Sequence, residues 1–171
     1  MPELCELAGD CPVRRRRAEA RRLIADPKRK GELAELAFAL CAASHGLIVS
    51  KPYGETAPYD FLVHASRRPL RVQVKAAFTA SCAGYAFNLI TGLQHRRYTR
   101  DDIDFLAAYI GPLDLWYIFP IEIIESIGAL TINPSARPGR RGARFEPYRE
   151  AWHLLTRKPR SKKQTTQDEP V

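Results

Sequence analysis

No stretch of this 171-residue chain approaches the roughly 18 consecutive apolar residues that a membrane-spanning helix needs. The opening residues also lack the apolar core of a secretory signal. A soluble, cytoplasmic protein with no membrane partner is the expectation. Cysteine is scarce, and Cys5, Cys11, Cys41 and Cys82 include no C-x₂-C pair of the kind that holds zinc; without an export signal a disulfide framework is not expected either. All four are read as thiols, with Cys41 in the core. His45, His64, His95 and His153 show neither a metal-ligand spacing nor a Ser, His, Asp order for acyl transfer. Acids are outnumbered, 19 against 27 Lys and Arg, which leaves a net charge of +8 and a pI near 9.6. That balance favours a polyanionic partner such as nucleic acid, although solubility alone also rewards surface charge.

What is present suits one folded domain: 45% apolar and 9% aromatic residues in a length that can bury a single substantial core. Residues 1–27 form a basic arm with Arg14 to Arg17 in a row and Arg21 and Arg22 following on a short helix. Residues 28–155 carry the alternating apolar patterns of a globular unit. Residues 156–171 read as a disordered basic tail, apolar residues being absent beyond Arg157 until Val171. Within the central unit a helix is expected over 28–44, with Gly46 as its left-handed cap and the stripe Leu33, Leu36, Ala37 and Leu40 packing on a sheet. Strands are expected over 47–50, 59–65, 70–77, 85–90, 105–110 and 115–119, with an antiparallel hairpin turning at 66–69. Short helices are expected over 120–126 and 146–155, the latter docking Tyr148, Trp152 and Leu155. Arg137 to Arg144, four arginines among Gly and Pro, suits a mobile loop.

Two features carry chemistry. Glu35 is the only charged residue in the eleven from Leu33 to Ala43, and a carboxylate in such an apolar helix needs a cation, a metal or a wet cleft; a solvent-facing position on the helix answers the same need. In Arg71-Val72-Gln73-Val74-Lys75, alternation sends the valines to one face and puts Gln73 and Lys75 together on the other. If the preceding strand pairs alongside, Asp60 converges with them. A half-exposed structural strand would show the same alternation, and a Lys75 to Asp60 salt bridge would use the same residues.

The order of these elements resembles a family. Gly31-x-x-x-Glu35, Pro58-Tyr59-Asp60 and Gln73-x-Lys75 are similar to the motifs of the PD-(D/E)XK nuclease superfamily. The likeness is closer to the group I intron-associated homing endonucleases, in which Gln stands in place of the usual acid before x-Lys. Lys51 to Gly54, Arg71 to Lys75 and Asp102 to Tyr109 leading to Trp116 and Tyr117 support it, over about residues 30–120.

The resemblance implies an α/β (α+β) class, a restriction-endonuclease-like mixed β-sheet flanked by helices, and a Mg²⁺-dependent endonuclease acting on double-stranded DNA. Mn²⁺ would serve in place of Mg²⁺. Glu35, Asp60, Gln73 and Lys75 are the implied catalytic set. Asp60, Gln73 and the Val74 carbonyl would hold the metal, with Glu35 acting through a water; one ion is preferred because a neutral amide binds metal more weakly than an acid. Lys75 would stabilise charge on the scissile phosphate. Arg96, Arg97, Tyr98, Arg100, Arg140 and Arg141 are candidate DNA contacts, since cations beside an aromatic can grip phosphate and stack on a base. A dimer or tetramer would bring two sites to two strands. A structure-selective nuclease resembling a junction resolvase, and a DNA-binding module of the same fold without catalysis, are the competing readings.

Overall fold

The structure, a computed structural model, describes residues 26–54, 56–64, 68–91, 96–136, 139 and 141–156. Residues 1–25 of the basic arm, 157–171 of the tail, 66–67 of the expected hairpin turn, Arg137, His95 and Arg140 lie outside the described residues, as does the side chain of Arg141. Helix α1 spans Pro27–Ser44. Asp26 caps it by accepting from the Lys28 amide at 2.9 Å, and Pro27 follows at the first helical position, where no amide is needed. It ends at Gly46, whose φ of +74° allows the Gly46 amide to reach Ala43 O and the Leu47 amide to reach Ala42 O. The expected limits and cap of this helix are therefore met.

Its buried face follows the expected stripe only at Ala37, with Leu33 half-buried. Leu36 is 67% and Leu40 56% exposed, while Ala34, Ala37, Phe38 and Ala42 are buried. Small side chains let the helix backbone approach the sheet closely, and Phe38 fills the gap between them. Its ring lies 5.1 Å from that of Phe61, 5.7 Å from Trp116 and 5.6 Å from Trp152. Counting leucines as core misjudged a seam built by alanines.

The main sheet has five strands in the order β1-β2-β3-β6-β7: β1 (Val49–Ser50), β2 (Phe61–Val63), β3 (Leu70–Ala77), β6 (Phe105–Ile110) and β7 (Leu115–Pro120). Only the β3 and β6 pair is parallel, with Val72 opposite Phe105 and Lys75 opposite Ala108. A second, antiparallel sheet of three strands joins β4 (Ala80–Ser81), β5 (Gly84–Asn88) and β8 (Ala129–Ile132). Strands β4 and β8 were not expected from the sequence. One core lies under α1 and includes Val72, Val74, Trp116 and Trp152; the other lies across the sheet and includes Leu106, Ala108, Tyr117 and Phe119. This is the mixed sheet flanked by helices of a restriction-endonuclease-like α+β fold.

The C-terminal region corrects two expectations. Residues 141–148, read as part of a loop and the start of a helix, form a 3-10 helix that buries Phe145. The final α-helix is short, α3 (His153–Thr156), after α2 (Ile121–Ile124). Glu150 at φ +47° breaks the expected run. Trp152 and Leu155 are nonetheless buried, and Tyr148 packs against the second core. Cys41 is partly buried against the first core. Among the described residues no helix is long and apolar enough to cross a membrane.

Candidate active site

Strand β3 alternates as its sequence requires: Val72 and Val74 are buried, and Gln73 and Lys75 half-buried on the opposite face. The antiparallel hairpin pairs Phe61 with Val72, and one step outward the Asp60 amide donates to Val72 O at 3.0 Å. Asp60 is thereby set beside Gln73. A single carboxylate oxygen, Oδ2, accepts from Gln73 Nε2 at 2.6 Å and from the Val74 amide at 2.8 Å. Gln73 Nε2 also donates to Val74 O at 3.2 Å, so the amide presents its nitrogen to both acceptors.

Burial pushes the Asp60 carboxyl up to about 6; the Glu35 charge adds to the rise, while the Val74 amide, Lys75 and Lys51 oppose it. Glu35 thus reaches the same site electrostatically, from the helix that covers the other face of β3. Its carboxylate, 23% exposed, takes the Lys51 ammonium at 2.5 Å. That hydrogen bond is the main cause holding Lys51 above the usual lysine range. Lys75 is lowered by burial, with Asp60 countering. Among the described residues Lys75 forms no ion pair, which disposes of a Lys75 to Asp60 salt bridge as its anchor. Its ammonium lies instead 5.7 Å from the centre of the Tyr98 ring.

The four sequence-derived residues are therefore brought to one locality, centred on Asp60. Sequence reasoning missed Lys51, which sits sixteen positions from Glu35 in a Pro and Gly loop that carries no periodic signal. It also placed Tyr98 on a DNA-facing loop, whereas the ring is 6% exposed and belongs to the second core.

The basic segment around Tyr98 is tied inward. Arg96 forks onto Asp102 at 2.5 and 2.6 Å, Arg97 donates to Ser126 O at 2.8 Å, and Arg100 pairs with Glu125 at 3.0 Å. Asp104 accepts from the Arg71 amide at 2.8 Å, and its own amide donates to Arg71 O at 2.8 Å. These bonds sit just before the Val72 to Phe105 register pair and fix the start of β3 against β6.

Residues 25–155 match the family described as PD-(D/E)XK endonuclease. No curated protein matches the chain. Among solved structures it is similar to "The structure of a bacterial homing endonuclease: I-Ssp6803I", at 30% identity and a TM-score of 0.67, over 77% of this chain and 94% of that one. A match of that extent, on a sheet shared with a solved homing endonuclease, means that the chain belongs to the PD-(D/E)XK endonuclease family.

Proposed function

We propose that this endonuclease hydrolyses phosphodiester bonds in double-stranded DNA with a Mg²⁺ ion held at Asp60, and that residues 28–155 make up the nuclease unit. The observation that carries this reading is the state of Asp60: a half-buried carboxylate raised to about 6, given two neutral donors and a like-charged neighbour. Such a group calls for a cation. The donors at hand are hard oxygens, the carboxylates of Asp60 and Glu35 and the carbonyl of Val74, which suit Mg²⁺ or Mn²⁺ better than zinc or copper. Gln73 is neutral and would hold a cation more weakly than an acid, so one ion fits better than two.

Asp60 and Val74 O would ligate directly, Glu35 through a water, and Gln73 through its amide oxygen once the amide turns over. When bound, the ion supplies the positive charge that polarises the phosphate and makes a water acidic at neutral pH. Glu35 orients the attacking water and can accept its proton. Lys75 offsets charge developing on the phosphate, and the Tyr98 face keeps the ammonium in place and partly dehydrated, where its field is stronger. A net charge of +8 supports DNA as the partner, and two strands require two sites, hence a dimer or tetramer.

Incubation with a randomised duplex library and Mg²⁺, followed by sequencing of the ends, tests this reading. Cut ends should require Mg²⁺ and vanish in Asp60→Asn and Lys75→Met. Ends that persist in both variants would point to another site. The nitrogen-first Gln73 favours one rival, a DNA-binding module without catalysis. Intact DNA affinity with no Mn²⁺ binding would establish that rival instead.

A further inference from the structure

The site holds more positive charge than its motif explains. Glu35 and Asp60 supply two carboxylates, Gln73 is neutral, and both Lys75 and Lys51 bring ammonium groups. Lys51 is bonded to Glu35 at 2.5 Å, and its charge also reaches Asp60. Without a divalent cation, Glu35 thus has its counterion, while Asp60 has no ion pair among the described residues. A structural ion pair this exposed, 62% for Lys51, would contribute little to stability, so stability alone is a weak reason for a lysine there.

We propose that Lys51 is a built-in counterion of the cation site: its ammonium neutralises Glu35 while the divalent cation is away, and cation binding proceeds against it. The inference rests on the reading that Asp60 and Glu35 together hold that cation. A neutral Gln73 makes such a counterion consequential, because with only two acids the added ammonium opposes a large share of the attraction. The cation then binds weakly until the DNA phosphate brings further negative charge, which would limit loading of the free protein.

The test uses Mn²⁺ alone as probe, with the full chain and no DNA, and reads free Mn²⁺ by electron paramagnetic resonance at fixed pH and ionic strength. Lys51→Met should bind Mn²⁺ about tenfold more tightly, as expected for removing a unit charge that is bonded to Glu35 and felt at Asp60. Lys51→Arg, which keeps the charge, should match the wild type. In a Glu35→Gln background the gain from Lys51→Met should shrink, because the shared partner is gone. Equal or weaker binding by Lys51→Met, with Asp60→Asn still abolishing it, overturns the counterion and leaves the metal site standing. Binding that Asp60→Asn does not affect overturns the site itself, and the counterion with it. Unchanged melting temperatures in the Lys51 variants show that the affinities compare folded protein.

Discussion

Asp60 and Asp102 are both carboxylates drawn out of water, and the fold treats them in opposite ways. Asp102 is 5% exposed and receives the Arg96 fork together with the amide and hydroxyl of Thr99, at 2.9 Å each. The Arg96 hydrogen bond leads in holding its carboxyl down to about 2. Burial pushes Asp104 up, but Arg68 and Arg71 outweigh it and bring that carboxyl to about 2 as well. Asp60 has no ion pair among the described residues, is repelled by Glu35, and rises to about 6. Acids that serve the architecture are satisfied from within the chain. Under the proposed function, the acid left without an ion pair is the one that would take a cation from outside.

The widest separation between the two classes should appear on replacing each acid by its amide. Asp60→Asn should cut DNA cleavage by on the order of 10³-fold while leaving the melting temperature nearly unchanged. One amide oxygen at the Oδ2 position can accept both existing hydrogen bonds. A large drop in melting temperature would mean that Asp60 is also architectural.

Asp102→Asn should do the reverse, lowering unfolding free energy by about 3 kcal/mol because the buried acid loses its charge and some of the donors from Arg96 and Thr99 then face an amide nitrogen. Urea unfolding measures this, and a loss below that of an ordinary surface substitution would erase the distinction.

Acid should separate them again. Asp102 and Asp104 lie below their ordinary 3.8 in the folded chain. Their contribution is therefore fully present above about pH 4 and disappears as pH falls towards 2, worth roughly 2 kcal/mol each. Unfolding free energy followed over that window should fall steeply in the wild type and less steeply in Asp102→Asn.

The smallest effect belongs to the exposed pair Arg100 and Glu125, with side chains 61% and 37% exposed. Glu125→Gln should change stability by under about 1 kcal/mol, and a larger loss would place this pair with the buried ties.

Legibility followed the same division. Strand β3 could be read because its side chains alternate and its neighbours on both sides are regular; its limits, the hairpin and the shared face of Gln73 and Lys75 all stand. Helix α1 was legible at its ends, where Pro27 and Gly46 act locally, although the Asp26 cap was not foreseen. It was not legible on its flanks, since the face chosen by Ala34, Ala37, Phe38 and Ala42 depends on how near the sheet can come. Strands β4 and β8 are short and owe their conformation to pairing with β5, four residues of it in the case of β8. The arginines of 96–100 looked free in the sequence because their partners, Asp102, Ser126 O and Glu125, come from turns that no local pattern announces.

By itself the sequence determined the helix, the hairpin and the order in which an acid, a second acid, an amide and an amine arrive along the chain, because each of these is set by neighbours a few residues away. Only the tertiary structure decided that Lys51 would close on Glu35, that Tyr98 would lie beneath Lys75, and that Asp60 rather than Asp102 would be left without an arginine. Charge pairing across long loops depends on where packed elements come to rest, and that is a property of the whole core.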